Sequence, residues 1–172
     1  MRLRIEKERT PHGQDDLAIK TGKGGLMDAE FIAQALCLEN GWQEANTLRA
    51  LERAREAVGV QSRIAGLRRK GTPKRELQPL TRGDFEKLIE NYRHLRRVEG
   101  ILRRWSYEGE TVLPDDPAPY YRVSVRCGFS VPEEFRKALA KWRQAIRMVY
   151  EKVFNAKTPG REEENKIKKS RG

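Results

Sequence analysis

At 172 residues the chain has room for one domain with a tail, and enough length to bury a substantial core. Apolar residues make up 37% against 35% charged, a thin supply that suits helices with one buried stripe and argues against a β-sandwich. The net charge is +11, no stretch approaches 18 apolar residues, and two distant cysteines, Cys37 and Cys127, argue against a disulfide framework or a CxxC zinc site.

The charge is unevenly spread. Residues 1–48 carry 6 Lys/Arg against 8 Asp/Glu, residues 49–105 carry 16 against 7, and residues 106–172 carry 14 against 10. A basic middle would attract phosphates, nucleic acid or acidic proteins. Plain solvation of long helices accounts for it too, since many of these cations have Glu neighbours at helical spacing. With no apolar leader in MRLRIEKERT, a cytoplasmic protein is expected, with both cysteines as small buried hydrophobes.

Met1 to Arg9 reads as the end of a helix, broken by Thr10-Pro11-His12-Gly13. Two acids and a Gly-rich turn follow. A helix is predicted from Leu26 to Glu39, with Leu26, Ala29, Ile32, Ala33 and Leu36 on one face and Asn40-Gly41 as its stop. Thr47 is a cap candidate for a helix running to about Val58. From Gly59 to Pro79 the pattern is weak: Ile64 and Leu67 suggest a short helical piece, and Arg68 to Arg75 reads as an exposed basic loop.

The strongest helix comes next. Thr81 with Asp84 three residues on makes a capping pair, and Phe85, Leu88, Tyr92, Leu95 and Leu102 follow at spacings of three and four. Ile89, Val98, Ile101 and Trp105 widen that stripe, and Glu99 interrupts it, with Arg96 or Arg103 as the expected partner. About 25 residues fit, roughly 37 Å of helix, long enough for the spine of a bundle. His94, among basic residues, is expected at the surface.

Residues 108–119 form a Pro-rich linker. Tyr120 to Phe129 is ambiguous: YYRVSVRC has strand-like letters, yet Pro119 would sit well in a helical first turn. Ser130, with Pro132 and Glu133, is expected to cap a last long helix whose inner side carries Phe135, Leu139, Trp142, Ile146, Val149, Tyr150 and Phe154. Residues 156–172 have little to bury and read as a charged, solvated tail, leaving residues 1–155 as the domain.

Lys20-Thr21-Gly22-Lys23-Gly24-Gly25 leads directly into a helix. Glycines permit close backbone approach to a ligand, a helix N-terminus offers unbonded N–H groups, and two lysines add charge. The same composition also makes an ordinary tight turn, and it matches neither a Walker A loop nor GxGxxG. Asp28 and Glu30 can simply stabilise the first helical turn, and Glu30 and Gln34 share a face.

Taken with that helix, the segment resembles the DxKxGxGGLxDxEFxxQ-like signature of glutamine-synthetase adenylyltransferases and, more loosely, of PII-uridylyltransferases. The matched positions are Lys20, Gly22, Gly24, Gly25, Leu26, Asp28, Glu30, Phe31 and Gln34. The signature's first acid is replaced by Ala18, so no role tied to that acid is expected. Further matches run in family order. MRLRIEKER resembles the helix that leaves the catalytic domain, Tyr92–Glu99 a YxxLRxxE helix, and Leu113–Pro117 an LPxDP linker. A short helix ending at Gly128-Phe129 follows, then a VRxxFexlF-like close at Ile146–Phe154. The resemblance implies an all-α bundle of five to six helices with one long central helix, and a helix rather than a strand over residues 118–128.

It also implies a function. The family's catalytic domain carries a Gly-Ser turn and a DxD-type acidic pair that holds magnesium for phosphoryl chemistry. No GSxxxxxDxD pattern occurs here, so no catalytic residue and no metal site is expected in this chain, nor any cofactor bound by it alone. ATP and magnesium are implied for the complete family enzyme. The chain is expected to be an accessory to a nucleotidyltransferase domain that moves AMP onto, or off, glutamine synthetase, with that enzyme or a PII-type regulator as partner. Lys20, Gly22, Lys23, Gly24, Gly25, Asp28, Glu30 and Gln34 would lie near the nucleotide or at the domain contact. A free-standing basic module for nucleic acid or an acidic protein is the alternative, with stacking on tryptophan as its means.

Overall fold

A computed structural model describes Arg4, Glu8 and residues 15–64, 80–106 and 111–154. The expected loop at residues 68–75, the piece around Leu67, the break at residues 10–13 and the tail at residues 156–172 lie outside them. Arg4 and Glu8 are helical and ion-paired at 2.7 Å.

Five helices account for the described fold, in keeping with the all-α expectation: α1 (Leu26–Asn40), α2 (Thr47–Ile64), α3 (Arg82–Ser106), α4 (Pro117–Arg126) and α5 (Pro132–Phe154). The ambiguous segment is helical, as the resemblance implied and its β-branched residues did not. Val123 is buried against the bundle, so tertiary packing overrides strand propensity there.

Helix α3 is the spine and touches the other four helices. Phe85, Leu88, Leu95 and Val98 are at most 1% exposed. Truncating any one of them to Ala in such a core costs about 3–5 kcal/mol for Phe and about 2–5 kcal/mol for Leu. The start of α3 is a reciprocal capping box. Thr81 N donates to Asp84 Oδ2 at 2.9 Å, and Asp84 N donates to Thr81 Oγ1 at 3.2 Å. Lys152 of α5 reaches the other Asp84 oxygen at 2.6 Å, tying the last turn of α5 to the first turn of α3. Glu99, 2% exposed, is held by Arg96 and, at 2.9 Å, by Arg103. Both expected partners are used, because i−3 and i+4 on one helix face the same carboxylate.

Several local expectations need correcting. Asn46, not Thr47, caps α2: its carboxamide oxygen accepts from Arg49 N at 3.1 Å and its carbonyl from Ala50 N at 2.9 Å. The Thr47 hydroxyl instead shares a hydrogen bond with Tyr92. Helix α2 also runs past Val58 to Ile64. Helix α5 begins at Pro132, which puts Val131 rather than Ser130 in the cap position, its carbonyl accepting from Glu134 N and Phe135 N. Phe154 is 43% exposed although its ring meets Tyr150 at 4.5 Å. Cys37 is half-buried, whereas Cys127 is buried. His94 is half-buried and stacks face to face on Trp142 at 4.5 Å.

Among the described residues there is no strand. A single antiparallel pairing joins Ala18 to Val112. Ile19 N donates to Thr111 O at 3.0 Å and Leu113 N to Leu17 O at 2.9 Å, so the linker before α4 is stitched to the segment entering the glycine turn. No helix among the described residues is long and apolar enough to cross a membrane.

Candidate functional site

The glycine-rich segment folds into a compact knot at the N-terminus of α1, and its amide hydrogens turn inward. Gly22 N donates to Ala18 O, Gly25 N to Gly22 O, Leu26 N to Ile19 O, Met27 N to Lys20 O and Asp28 N to Gly25 O, all between 3.0 and 3.1 Å. Gly24 N donates to the Asp28 carboxylate at 2.8 Å. A helix N-terminus binds an anion through unbonded N–H groups. Here those of Leu26, Met27 and Asp28 meet carbonyl oxygens of the same segment, and the Asp28 carboxylate supplies the negative charge that the helix dipole favours. A phosphate near this loop would therefore meet lysine side chains rather than an amide cradle.

The glycines are needed for a different close approach. Gly24 has φ +68° in the left-handed region, and a Cβ there would collide with the backbone carbonyl of Arg143 on α5. A Cβ on Gly22 would lie 2.5 Å from Arg143 Nη2 and 2.6 Å from the carbonyls of Ala18 and Asp15. One on Gly25 would lie 2.7 Å from the carbonyls of Ile19 and Lys20. The missing side chain of Gly24 lets the loop lie directly on the backbone of α5, and those of Gly22 and Gly25 let the segment close tightly on itself and on the Arg143 guanidinium.

Arg143 fastens it there. The residue is 7% exposed, and its guanidinium donates from Nε to Lys23 O at 2.9 Å, from Nη1 to Asp16 O at 2.8 Å and from Nη2 to Asp15 O at 2.7 Å. One planar cation so fixes both ends of the turn. One helical turn later Arg147 donates to Asp28 Oδ2 at 3.4 Å and to Glu151 at 2.8 Å, and its guanidinium lies 5.1 Å from the Tyr150 ring. Burial opposes the charge on Arg147, but hydrogen bonds and the charges of Glu151 and Asp28 outweigh it and hold the group above its ordinary value.

The predicted site residues divide into two sets. Gly22, Gly24, Gly25 and Asp28 are buried in this knot, with Lys20 half-buried and Lys23 exposed beside them. Glu30, half-buried, lies on a different side, within electrostatic reach of Tyr92 on α3 together with Arg96 and Glu99. Burial pushes the Tyr92 phenol above its ordinary range despite its bond to Thr47. Gln34 is exposed, one turn beyond Glu30.

The sequence reading missed Arg143 and Arg147 as parts of this site. A signal was present for the first: Arg143 falls four residues after Leu139 and three before Ile146, inside the apolar stripe of α5, where a cation needs a buried partner.

Among the described residues no group of three or more His, Cys, Asp or Glu could hold a metal ion. Trp42 lies under Arg53 at 4.4 Å, and Trp142 stacks on His94 and meets Phe129 edge-on. The Trp105 side chain is outside the described set.

A family model described as GlnD PII-uridylyltransferase matches residues 1–154. Similar curated proteins include the bifunctional glutamine synthetase adenylyltransferase/adenylyl-removing enzyme of Bordetella pertussis, 30% identical over 148 residues. That match covers 86% of this chain and 14% of the relative. The enzyme of the same name from Nitrosomonas europaea is 29% identical over 139 residues, covering 81% of this chain and 13% of the relative. The chain thus spans about 14% of the length of the curated relatives it matches.

Proposed function

Because the chain belongs to the PII-uridylyltransferase and glutamine-synthetase adenylyltransferase family, we propose that it is the helical companion of a nucleotidyltransferase domain supplied by other sequence. In this reading the companion domain performs AMP transfer to glutamine synthetase, or its removal, and this chain assists without catalysing. A cytoplasmic setting in nitrogen regulation follows from the same reading.

The observation that carries it is the bracing of the signature segment. Arg143 and Asp28 hold the lysine-bearing turn as a rigid feature at one end of α1, with Lys23 exposed on it. A rigid cationic edge beside a nucleotide site stabilises phosphate charge without reorganising during the reaction. ATP and magnesium belong to the companion domain. In the same reading, Lys20 and Lys23 are the groups of this chain that would face the phosphates. Nucleic-acid binding by aromatic stacking is less well supported, since Trp42 and Trp142 already pack against Arg53 and His94.

The test is to combine this chain, in trans or by fusion, with a family catalytic domain and to follow magnesium-dependent labelling of glutamine synthetase. Labelling should need both parts and should fall at least tenfold in the Lys20→Ala, Lys23→Ala double variant, a loss of about 1.4 kcal/mol of transition-state stabilisation. No labelling with both parts folded, or labelling indifferent to the lysines, would count against the proposal.

A further inference from the structure

The two lysines of the signature turn are held in different ways. The Lys20 carbonyl accepts from Met27 N at 3.1 Å, so that residue is fixed by the first turn of α1 itself. Lys23 depends on α5. Its carbonyl accepts from Arg143 Nε at 2.9 Å, and the N–H of the next residue, Gly24, donates to Asp28 Oδ2 at 2.8 Å. That carbonyl and that N–H belong to one planar peptide unit. Both ends of the plane are therefore gripped, the oxygen by a cation and the N–H by a carboxylate. Charge-assisted bonds of this kind are roughly twice as strong as neutral ones. The grip is needed because glycine tolerates both signs of φ. Nothing intrinsic to Gly24, at φ +68°, would keep the plane in one orientation.

The Asp28 end of the grip leads back to α5. Its carboxylate is 0% exposed, and Arg147 donates to the same Oδ2 at 3.4 Å. Arg147 is itself steadied by Glu151, 2.8 Å from its Nε. An acid in the first turn of a helix serves the dipole from the surface, whereas a buried one needs a counter-ion. Dipole compensation thus accounts for an acid at position 28. It does not account for burying that acid between Gly24 N and a cation of another helix. Arg143 and Arg147 lie one turn apart, so one face of α5 addresses the carbonyl of the Lys23–Gly24 unit directly and its N–H through Asp28.

We propose that Arg147 is a positioning residue for Lys23, acting through Asp28 and the Gly24 N–H. The proposal rests on the reading that Lys23 meets phosphate charge held by a companion domain. A lysine on a loose turn must be ordered as that charge develops, while one whose peptide plane is fixed departs from a set Cα and avoids that reorganisation.

Labelling of glutamine synthetase by this chain combined with a family catalytic domain, compared across lysine backgrounds, tests this. If the two lysines contribute equally to the tenfold loss of their double variant, each accounts for about threefold. Acting through Lys23, Arg147→Gln can cost no more than that share. It should lower labelling about two- to threefold in the parent and in Lys20→Ala, and leave labelling by Lys23→Ala unchanged. A fault in folding would instead reduce all three by one common factor. Arg147→Lys, which keeps a cation beside Asp28, should recover part of the loss. Should Arg147→Gln strand the Asp28 charge and fail to fold, the pair Asp28→Asn, Arg147→Gln leaves no charge buried and takes its place with the same expectation. An equal loss in the Lys23→Ala background, no loss in the parent, or dependence on Lys20 alone overturns this proposal and leaves the companion-domain reading standing. Labelling that is absent with both parts folded, or indifferent to both lysines, overturns that reading and this proposal with it.

Discussion

Replacing Arg143 with alanine tests whether one guanidinium holds the signature loop. The change removes three charge-assisted hydrogen bonds of 2.7–2.9 Å to the carbonyls of Asp15, Asp16 and Lys23. A net value of about 1 kcal/mol per bond gives about 3 kcal/mol. Residues 15 and 16 are exposed, so water can partly replace the lost donor there. That replacement holds the total below the larger loss expected of a fully enclosed cation. For a domain of about 150 residues, 3 kcal/mol is a fall in Tm of roughly 6–12 °C. Chemical and thermal denaturation measure the global effect, and amide hydrogen exchange locates it. Exchange should quicken first at Gly22, Gly24 and Gly25, whose N–H groups bond within the loop, and α3 should open only with global unfolding. Arg143→Lys should recover little, because one ammonium cannot span three carbonyls set around a planar fork. A Tm within about 1 °C of the parent, or exchange that quickens equally everywhere, would refute the idea that Arg143 holds the loop.

Other expectations follow from neighbouring features. Gly24→Ala combines a left-handed φ with a collision against the Arg143 carbonyl, and should destabilise the fold by at least about 2 kcal/mol in denaturant titration. Among the described residues no group meets the buried Tyr120 hydroxyl in hydrogen-bond geometry, although the Arg136 guanidinium, 5.3 Å from its ring, is close enough to act on the phenol. Tyr120→Phe should be neutral or stabilising by up to about 1 kcal/mol, where an equally buried but bonded tyrosine would lose stability. Burial alone would raise the Asp84 carboxyl, yet Lys152 and Thr81 outweigh it and hold it below its ordinary value of 3.8. Its stabilising effect is therefore complete above that value and disappears as pH falls through the depressed one. Asp84→Asn should flatten the acid limb of the stability profile. Burial pushes the Cys127 thiol up to about 11 from 9.0. It should resist alkylation at pH 8 far longer than half-buried Cys37, and the decline in stability between pH 9 and 11 should be shallower in Cys127→Ala than in the parent, with the raised phenols of Tyr92 and Tyr120 supplying what remains.

What the amino-acid order determines by itself is mostly local. The Thr81–Asp84 box, the Asn40-Gly41 stop and the clasp of Glu99 between Arg96 and Arg103 involve residues three or four apart or adjacent, so helical geometry alone brings them together. The apolar stripe of α3 was likewise legible, and with it a helical spine, while the all-α class came from the family resemblance. Residues 117–126 were not legible from propensity, because β-branched Val123 and Val125 favour a strand until packing on α3 and α5 selects the helix.

The signature segment shows the limit most clearly. Its glycines announced a close backbone approach, but a missing Cβ does not say to what. At Gly24 the approach proved to be to the backbone of α5, and the bonds that secure it join residues 120 to 128 positions apart. No periodicity encodes such a pairing. It exists because α3 sets α5 alongside the start of α1, where the one cation inside the apolar stripe of α5 finds three inward-turned carbonyls and need not be buried unsatisfied.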